Sequence, residues 1–469
     1  MLRTIEMYTN EYKDTTKKEI RKKKGQFFTP AEVSMRMAAV ENKYPKNQLI
    51  RVLDPGAGNG ILSFAVIDKL LRSGYKWLDI TLIETDTEIL PVLEYTITKI
   101  RQICESYHAE CTIHYIDQNF VLWESSRLYD IVICNPPYMK VRKDSIEATA
   151  MKAYVYGQPN LYGLFMAKAV ELLRDNGQYI FITPRSWTSG KYFTKVRSFL
   201  QKELNIKEID LFSSRDEVFQ GEKVLQETMI LYGEKGQIQD EQIKINILKD
   251  GTLDTGNSFW AAADQIKFKG SEQYLLLPEN ENDLKIIDIM SDMTDSFESS
   301  GYHFKTGPVV EFRNLDHIHK IYQTGDIPMY RSIHIQNGTL QFPADTQKAQ
   351  YVSTDEESLL IPKQNTILVR RLSTKEDLKR IQACKYFADE NTDLNTDLNT
   401  EFMTVENHVN YLTRKDGMEM TRNEIDQLFD ILMSDMYERY IRLINGSTQI
   451  NAGELNKLPL QRIERSINS

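Results

Sequence analysis

The stretch Ile50-Arg51-Val52-Leu53-Asp54-Pro55-Gly56-Ala57-Gly58-Asn59-Gly60 passes directly into the apolar run Ile61-Leu62-Ser63-Phe64-Ala65-Val66-Ile67. A β-rich run, a glycine turn and a helix thus follow one another with no linker. Glycines let the chain turn tightly and let a ligand approach the backbone, and the N-terminus of the following helix favours a negative group. Alone, such a turn is a weak signal. It gains weight because the next β-rich run ends at Ile83-Glu84. A carboxylate there can accept hydrogen bonds from both ribose hydroxyls of a nucleoside. The loop reads G-x-G-x-G with an acid ahead of it, which suits S-adenosylmethionine better than a dinucleotide.

Outward from this unit, β-rich and helical runs alternate from Gln48 to about Tyr232. Strands are expected at Ile50–Leu53, Ile80–Ile83, Cys111–Ile116, Ile131–Cys134, Gln178–Thr183, Ile206–Leu211 and Met229–Tyr232, with helices such as Ile61–Arg72, Leu161–Arg174 and Lys191–Glu203. That alternation predicts βαβ units, hence an α/β Rossmann-like fold with a mostly parallel sheet covered on both faces. Beyond Tyr232 the rhythm stops. Gly233–Gly270 is polar and broken by glycines and reads as a crossing between domains; the remainder reads as mixed α+β. Within it, the tandem TDLNTDLNT of Thr392–Thr400 reads as a polar surface insertion. Three parts are expected: a basic arm and first motif over 1–45 that packs on the catalytic domain, a catalytic domain over 46–245, and a C-terminal domain over 246–469.

A chain of 469 residues with 41% hydrophobic and 27% charged side chains has the length and composition to bury a core. No apolar run approaches the roughly 20 residues that span a bilayer, and the charged N-terminus does not read as a secretory signal. Four cysteines suit a reducing compartment, so the expected location is cytoplasmic. Cys104 and His108 stand at helical spacing, which reads as a helix face, and no metal is expected. A net charge of -9 argues against coating nucleic acid by bulk charge, but Lys17, Lys18, Arg21, Lys22, Lys23 and Lys24 form a local basic run. It reads as a solvated charge run or as a phosphate-contacting arm.

The chemistry is concentrated in Tyr129-Asp130-Ile131-Val132-Ile133-Cys134-Asn135-Pro136-Pro137-Tyr138. Two prolines end a buried strand and stiffen the backbone. They leave the Asn135 side-chain oxygen and the Pro136 carbonyl as outward acceptors. An amino group conjugated to a ring is a poor nucleophile, because its lone pair is delocalised. Two acceptors holding its hydrogens favour a pyramidal nitrogen able to attack a methyl sulfonium, and Tyr138 would stack on the ring.

With these motifs the sequence resembles the gamma-class DNA adenine-N6 methyltransferases, the group that includes the TaqI enzyme, and most of all the BsuBI/PstI subfamily of modification methylases. Gln26-Phe27-Phe28-Thr29-Pro30 looks like the family's first motif, in which the threonine helps hold the methionine end of the cofactor. The resemblance implies that Asp54, Gly56, Ala57, Gly58 and Glu84 serve the methionine moiety and the ribose. It implies that Asn119-Phe120-Val121-Leu122-Trp123-Glu124 receives the cofactor adenine, with Phe120 on its ring. The family's acid before that phenylalanine is replaced here by Asn119, so either its amide oxygen or Asp117 accepts from the adenine amino group. Glu217-Val218-Phe219 resembles the segment whose aromatic side chain meets the flipped target base, which places Phe219 beside Asn135, Pro136, Pro137 and Tyr138 in the catalytic set.

The second half carries subfamily-like strings at Thr306–Arg313, Val369–Glu376, Asn407–Tyr411 and Gly446–Leu455. In the family this half reads DNA, and here it offers Arg313, Arg331, Arg370, Arg371 and Lys375 for phosphate or base edges. His317 and His319 read as surface or core histidines. The implied activity is transfer of a methyl group from S-adenosylmethionine to adenine N6 in double-stranded DNA, with base flipping, in a restriction-modification system. A cognate restriction endonuclease is a further implied partner, and a membrane is not. Other readings of the same motif are an RNA adenine or protein-glutamine methyltransferase, or a non-catalytic DNA-binding subunit. The large second half fits the first two poorly, and the intact Asn135–Tyr138 motif argues against the third.

Overall fold

The computed structural model describes residues 1–41, 43–212, 228–236, 242–248, 255–267, 273–373, 377–390, 401–444 and 449–461. Two compact units divide the chain, Met1–Glu281 and Asn282–Ser469.

The first unit is built on a nine-stranded sheet. Its strands are β1 (Ile50–Pro55), β2 (Trp77–Ile83), β3 (Glu110–Ile116), β4 (Tyr129–Cys134), β5 (Leu173–Pro184), β6 (Leu204–Phe212), β7 (Thr228–Lys235), β8 (Gln242–Leu248) and β9 (Thr255–Ala262). They run in the order β3-β2-β1-β4-β5-β7-β6-β8-β9. The first five are mutually parallel; β7 lies antiparallel between β5 and β6. This is the Rossmann-like, mostly parallel sheet expected from the alternating pattern.

The helices of this unit include α1 (Leu2–Thr15), α2 (Lys18–Lys23), α3 (Ala31–Ala38), α4 (Ile61–Arg72), α5 (Leu90–Ser106), α6 (Ile146–Ala150), α7 (Leu161–Leu172) and α8 (Thr194–Glu203). Side chains alternate across a sheet. Ile131 and Ile133 of β4, with Ile180 and Ile182 of β5, belong to one apolar cluster with α3, α4 and α5, while α7 packs with α6 and α8. Helix α4 starts after Gly60, which is left-handed (φ 75°), and its last turn carries Lys69 and Arg72, cations that complement the helix dipole.

The expected crossing at Gly233–Gly270 is corrected. Ile243, Ile245 and Ile247 alternate into the interior, β8 pairs in parallel with β6, and β9 pairs antiparallel with β8. The boundary expected at 245/246 therefore falls inside a strand, and the first unit continues to Glu281. The N-terminal segment joins this unit too. Arg36 on α3 donates to Asp210 of β6 through Nε and Nη2 at 2.7 Å and to Glu208 through Nη2 at 2.5 Å. Asn246 of β8 donates to both carboxylates.

The second unit holds an antiparallel sheet of Tyr302–Thr306, Val409–Arg414, Thr366–Arg370 and Ala383–Tyr386, in that order, beside a five-stranded sheet of shorter strands. Helix Arg422–Met433 begins with a capping box between Thr421 and Glu424. The Thr392–Thr400 repeat lies outside the described residues. Among the described residues no helix is long and apolar enough to cross a membrane.

Candidate active site

Chain segments following β1, β2, β3 and β4 converge with the N-terminal segment Lys24–Thr29 around a cavity of about 540 Å³. The carboxyl ends of strands are where open α/β sheets bind ligands. Gly56, Gly58 and Gly60 all take positive φ (70°, 55° and 75°). The loop they form is pinned twice. Ile83 O accepts from Gly56 N and Ala57 N at 2.8 and 2.9 Å, and Glu84 Oε2 accepts from Gly58 N at 2.8 Å. Glu84 Oε1 accepts from Thr85 N and Asp86 N, each at 2.8 Å. Burial raises the Glu84 carboxyl against the opposing effect of these amides.

Asn135 stands at the end of β4 in the cavity wall. Its Nδ2 donates to Phe27 O at 2.7 Å and to Thr29 Oγ1 at 3.0 Å. Its Oδ1 is buried with no partner among the described residues. The first motif therefore packs directly against the Asn135–Tyr138 turn. Tyr138 N donates to Gly25 O at 3.0 Å, and a Cβ on Gly25 (φ 64°) would stand 2.9 Å from Tyr138 N. The Tyr138 ring stacks on Phe27 with centroids 5.4 Å apart, meets Tyr162 edge-on, and its hydroxyl donates to Ile182 O at 3.1 Å. Burial pushes that phenol well above its ordinary range.

Of the residues singled out from sequence, the cavity gathers Phe28, Thr29, Gly56, Ala57, Gly58, Glu84, Asn119, Phe120, Asn135 and Pro137. Phe120 is 2% exposed and lies against Phe165, ring centroids 4.9 Å apart. Asn119 donates to Glu147 Oε1 at 2.9 Å and accepts from Val121 N at 3.0 Å. Asp117 is exposed and is not part of the wall. Pro30, Pro136 and Tyr138 also stand off it; Pro30 instead precedes α3 as its N-cap. Asp54 lies behind the glycine loop, 1% exposed, with Oδ2 accepting from Ser63 Oγ at 2.7 Å and burial pushing its carboxyl up to about 7. Phe219 lies outside the described residues.

The basic run divides. Arg21 is buried and caps its own segment, donating to Lys13 O at 2.8 Å and Thr16 O at 2.5 Å. Lys24 lies on the cavity wall, its Nζ 2.9 Å from both Asp86 Oδ1 and Glu88 Oε2. Burial works against the Lys24 ammonium, yet its bonds to Glu88 and Asp86 leave it pushed up to about 12. Lys24 was read from sequence only as part of the basic run, and Gly25, Asp86 and Phe165 were not singled out. A glycine directly ahead of the Gln26–Pro30 motif was the available signal for Gly25.

The second-unit arginines divide as well. Arg331, 3% exposed, donates to Glu311 Oε2 at 2.5 Å and Ala349 O at 3.1 Å, so it braces the fold rather than facing a nucleic acid. Arg370 bonds Gln382, and Arg371 reaches Asn407 O and Asn451 Oδ1, each at 3.2 Å. Arg313 is exposed, with its guanidinium over the Phe312 ring, and Lys375 lies outside the described residues. His317 is exposed and His319 half-buried. The helical spacing read for Cys104 and His108 does not hold: α5 ends at Ser106, and His108 follows in a left-handed turn (φ 51°).

Residues 77–219 match the family model described as Eco57I restriction-modification methylase. The type II methyltransferase M.BsuBI of Bacillus subtilis is 29% identical over 445 residues, which is 92% of this chain and 87% of that one. The type II methyltransferase M.PstI of Providencia stuartii is 27% identical over 461 residues, 95% of this chain and 88% of the relative. Over more than nine-tenths of its length the chain is thus similar to type II methyltransferases. A solved structure, the DrdV–DNA complex, is 12% identical with a TM-score of 0.47, covering 87% of this chain and 51% of that one. The family match takes in Glu84, Asn119, Phe120 and Asn135–Tyr138, while the first motif and the glycine loop precede it.

Proposed function

We propose that the chain is a cytoplasmic, site-specific DNA methyltransferase. It moves a methyl group from S-adenosylmethionine to the N6 amino group of an adenine rotated out of duplex DNA, as the modification partner of a restriction endonuclease. The observation that carries this reading is the buried, unpartnered Oδ1 of Asn135 in the wall of the cavity. The similarity to type II methyltransferases over more than nine-tenths of the chain supports it.

The cavity suits the methyl donor. Its left-handed glycines allow close approach to the backbone, and Phe120 and Phe165 offer apolar faces for an adenine. Glu84 Oε2 keeps a lone pair for a ribose hydroxyl beyond the one amide it accepts, while Oε1 already takes two. S-adenosylmethionine, when bound, supplies an electrophilic methyl on a positively charged sulfonium. The chain's own part is alignment. Asn135 Oδ1 and the Pro136 carbonyl accept the two hydrogens of the target amine, which localises its lone pair for attack. No general base is required, since the product ammonium loses its proton after transfer. Rotating a base out costs a few kcal/mol, and stacking on aromatics returns about 1–3 kcal/mol per base. Tyr138, held against Phe27, and Phe219 are the side chains we assign to that stacking, and the second unit supplies the address on DNA.

Methylation-sensitive long-read sequencing of DNA from cells expressing the chain tests this directly. N6-methyladenine at one short recurrent sequence is the expected result. It should disappear in Asn135→Ala, which keeps the fold and donor binding but lacks one acceptor. An unmodified genome, another modified base, or near wild-type turnover by Asn135→Ala would refute the assignment.

A further inference from the structure

An asparagine amide is nearly symmetric in shape, and only its neighbours decide which end faces where. At Asn135 they decide it unambiguously. Phe27 O, 2.7 Å from Nδ2, is a carbonyl oxygen and can only accept, so the NH2 must face the first motif. Thr29 Oγ1 takes the second hydrogen at 3.0 Å. The oxygen is thereby sent the other way, where it is buried and unpartnered among the described residues. Turned over, the amide would set its NH2 against the hydrogens of an incoming amine and oppose capture. Nothing within β4 makes this choice, which comes from residues more than a hundred positions earlier in the chain.

We propose that Thr29 is a positioning residue for methyl transfer: with the Phe27 carbonyl it holds the Asn135 amide so that its oxygen receives the target amine. This rests on reading Asn135 as an acceptor for that amine, and it gives Thr29 a task distinct from holding the methyl donor. Because the Thr29 hydroxyl accepts from Asn135, its own proton is left to donate. Thr29 also lines the cavity, so an acceptor on a bound ligand would complete a chain of hydrogen bonds that strengthen one another. Filling the donor site and orienting the amine acceptor then become coupled events.

The test uses the full chain in single-turnover transfer to duplex DNA at saturating donor, with calorimetric affinity for S-adenosylhomocysteine measured in parallel. Thr29→Val keeps the shape of the side chain without its oxygen, Thr29→Ala removes the oxygen with no packing demand, and Thr29→Ser restores a hydroxyl. The saturated rate should fall on the order of ten-fold in the first two and recover in the third. In an Asn135→Ala background, adding Thr29→Val should slow transfer no further, because the amide it positions is already gone. A full saturated rate with loss confined to donor affinity would overturn the proposal, as would independent, multiplicative losses in the double variant. If the wild-type chain transfers no methyl to DNA, the parent reading of the site falls first, an outcome distinct from an unaffected Thr29→Val rate.

Discussion

Replacing Glu84 by glutamine swaps one oxygen for an NH2 and removes the charge while preserving size. In the wild type three backbone amides point at the carboxylate, each at 2.8 Å: Thr85 and Asp86 at Oε1, Gly58 at Oε2. Glutamine keeps two of these bonds by turning its single oxygen towards Thr85 and Asp86. Its NH2 then meets the Gly58 N–H, donor against donor. A hydrogen bond to a charged group contributes about 1.5–3 kcal/mol, so Gly58 is released at about that cost. Gly58 belongs to the cavity wall and holds a left-handed conformation, so the loss falls on the binding geometry of the loop. Affinity for S-adenosylhomocysteine should drop about 10- to 100-fold, one decade per 1.4 kcal/mol. Titration calorimetry reads this, and the transfer rate at saturating donor should change much less. Unchanged affinity in Glu84→Gln would show that the carboxylate neither fixes the loop nor meets the ligand.

Gly25→Ala should destabilise the first unit by at least about 1–2 kcal/mol from left-handed strain alone, and more from the 2.9 Å approach to Tyr138 N; urea unfolding showing no change would contradict the packing of the first motif on the Asn135–Tyr138 turn. Asp54 has a folded pKa raised from 3.8 to about 7, so its contribution is fully present below the lower value and is lost as pH rises to the upper one. Asp54→Asn should flatten the pH dependence of unfolding across that window, and an unaltered slope would count against a buried, protonated carboxyl. Arg331→Ala should cost the second unit about 1–3 kcal/mol, a range below that of a fully buried pair because Glu311 is partly exposed. Its DNA binding should keep the wild-type salt dependence, and a shallower slope would instead make Arg331 a phosphate contact.

Where local pattern and tertiary environment agree, the chain is legible. The Ile50–Ile67 stretch reads as strand, turn and helix because its apolar spacing switches period at three glycines, and the turn and helix form there. The β8–β9 hairpin was missed because glycines and polar residues dominate its surroundings, and pairing with β6 overrides that local signal. Charge was the least readable property. Arg21, Lys24 and Arg331 look alike in a sequence, yet one caps a turn, one bridges to Asp86 and Glu88, and one braces a fold from within. At the site, the Asn135 motif was readable from its prolines, and its brace from Phe27 and Thr29 was not, because such contacts join segments far apart in sequence.

The clasp between Arg36 and Asp210 joins positions 174 residues apart, and this separation sets an order of assembly during synthesis. The glycine loop and the first four strands leave the ribosome well before β6, so this part of the sheet can begin to form early. The helix behind Phe28 and Thr29 has no anchor on β6 until residues 208 and 210 arrive, and β6 in turn needs β7 to join it to β5. A nascent chain therefore carries the whole cavity wall, Lys24 to Phe165, before β6 arrives, and the anchoring of α3 is completed only after β6 and β7 have been made.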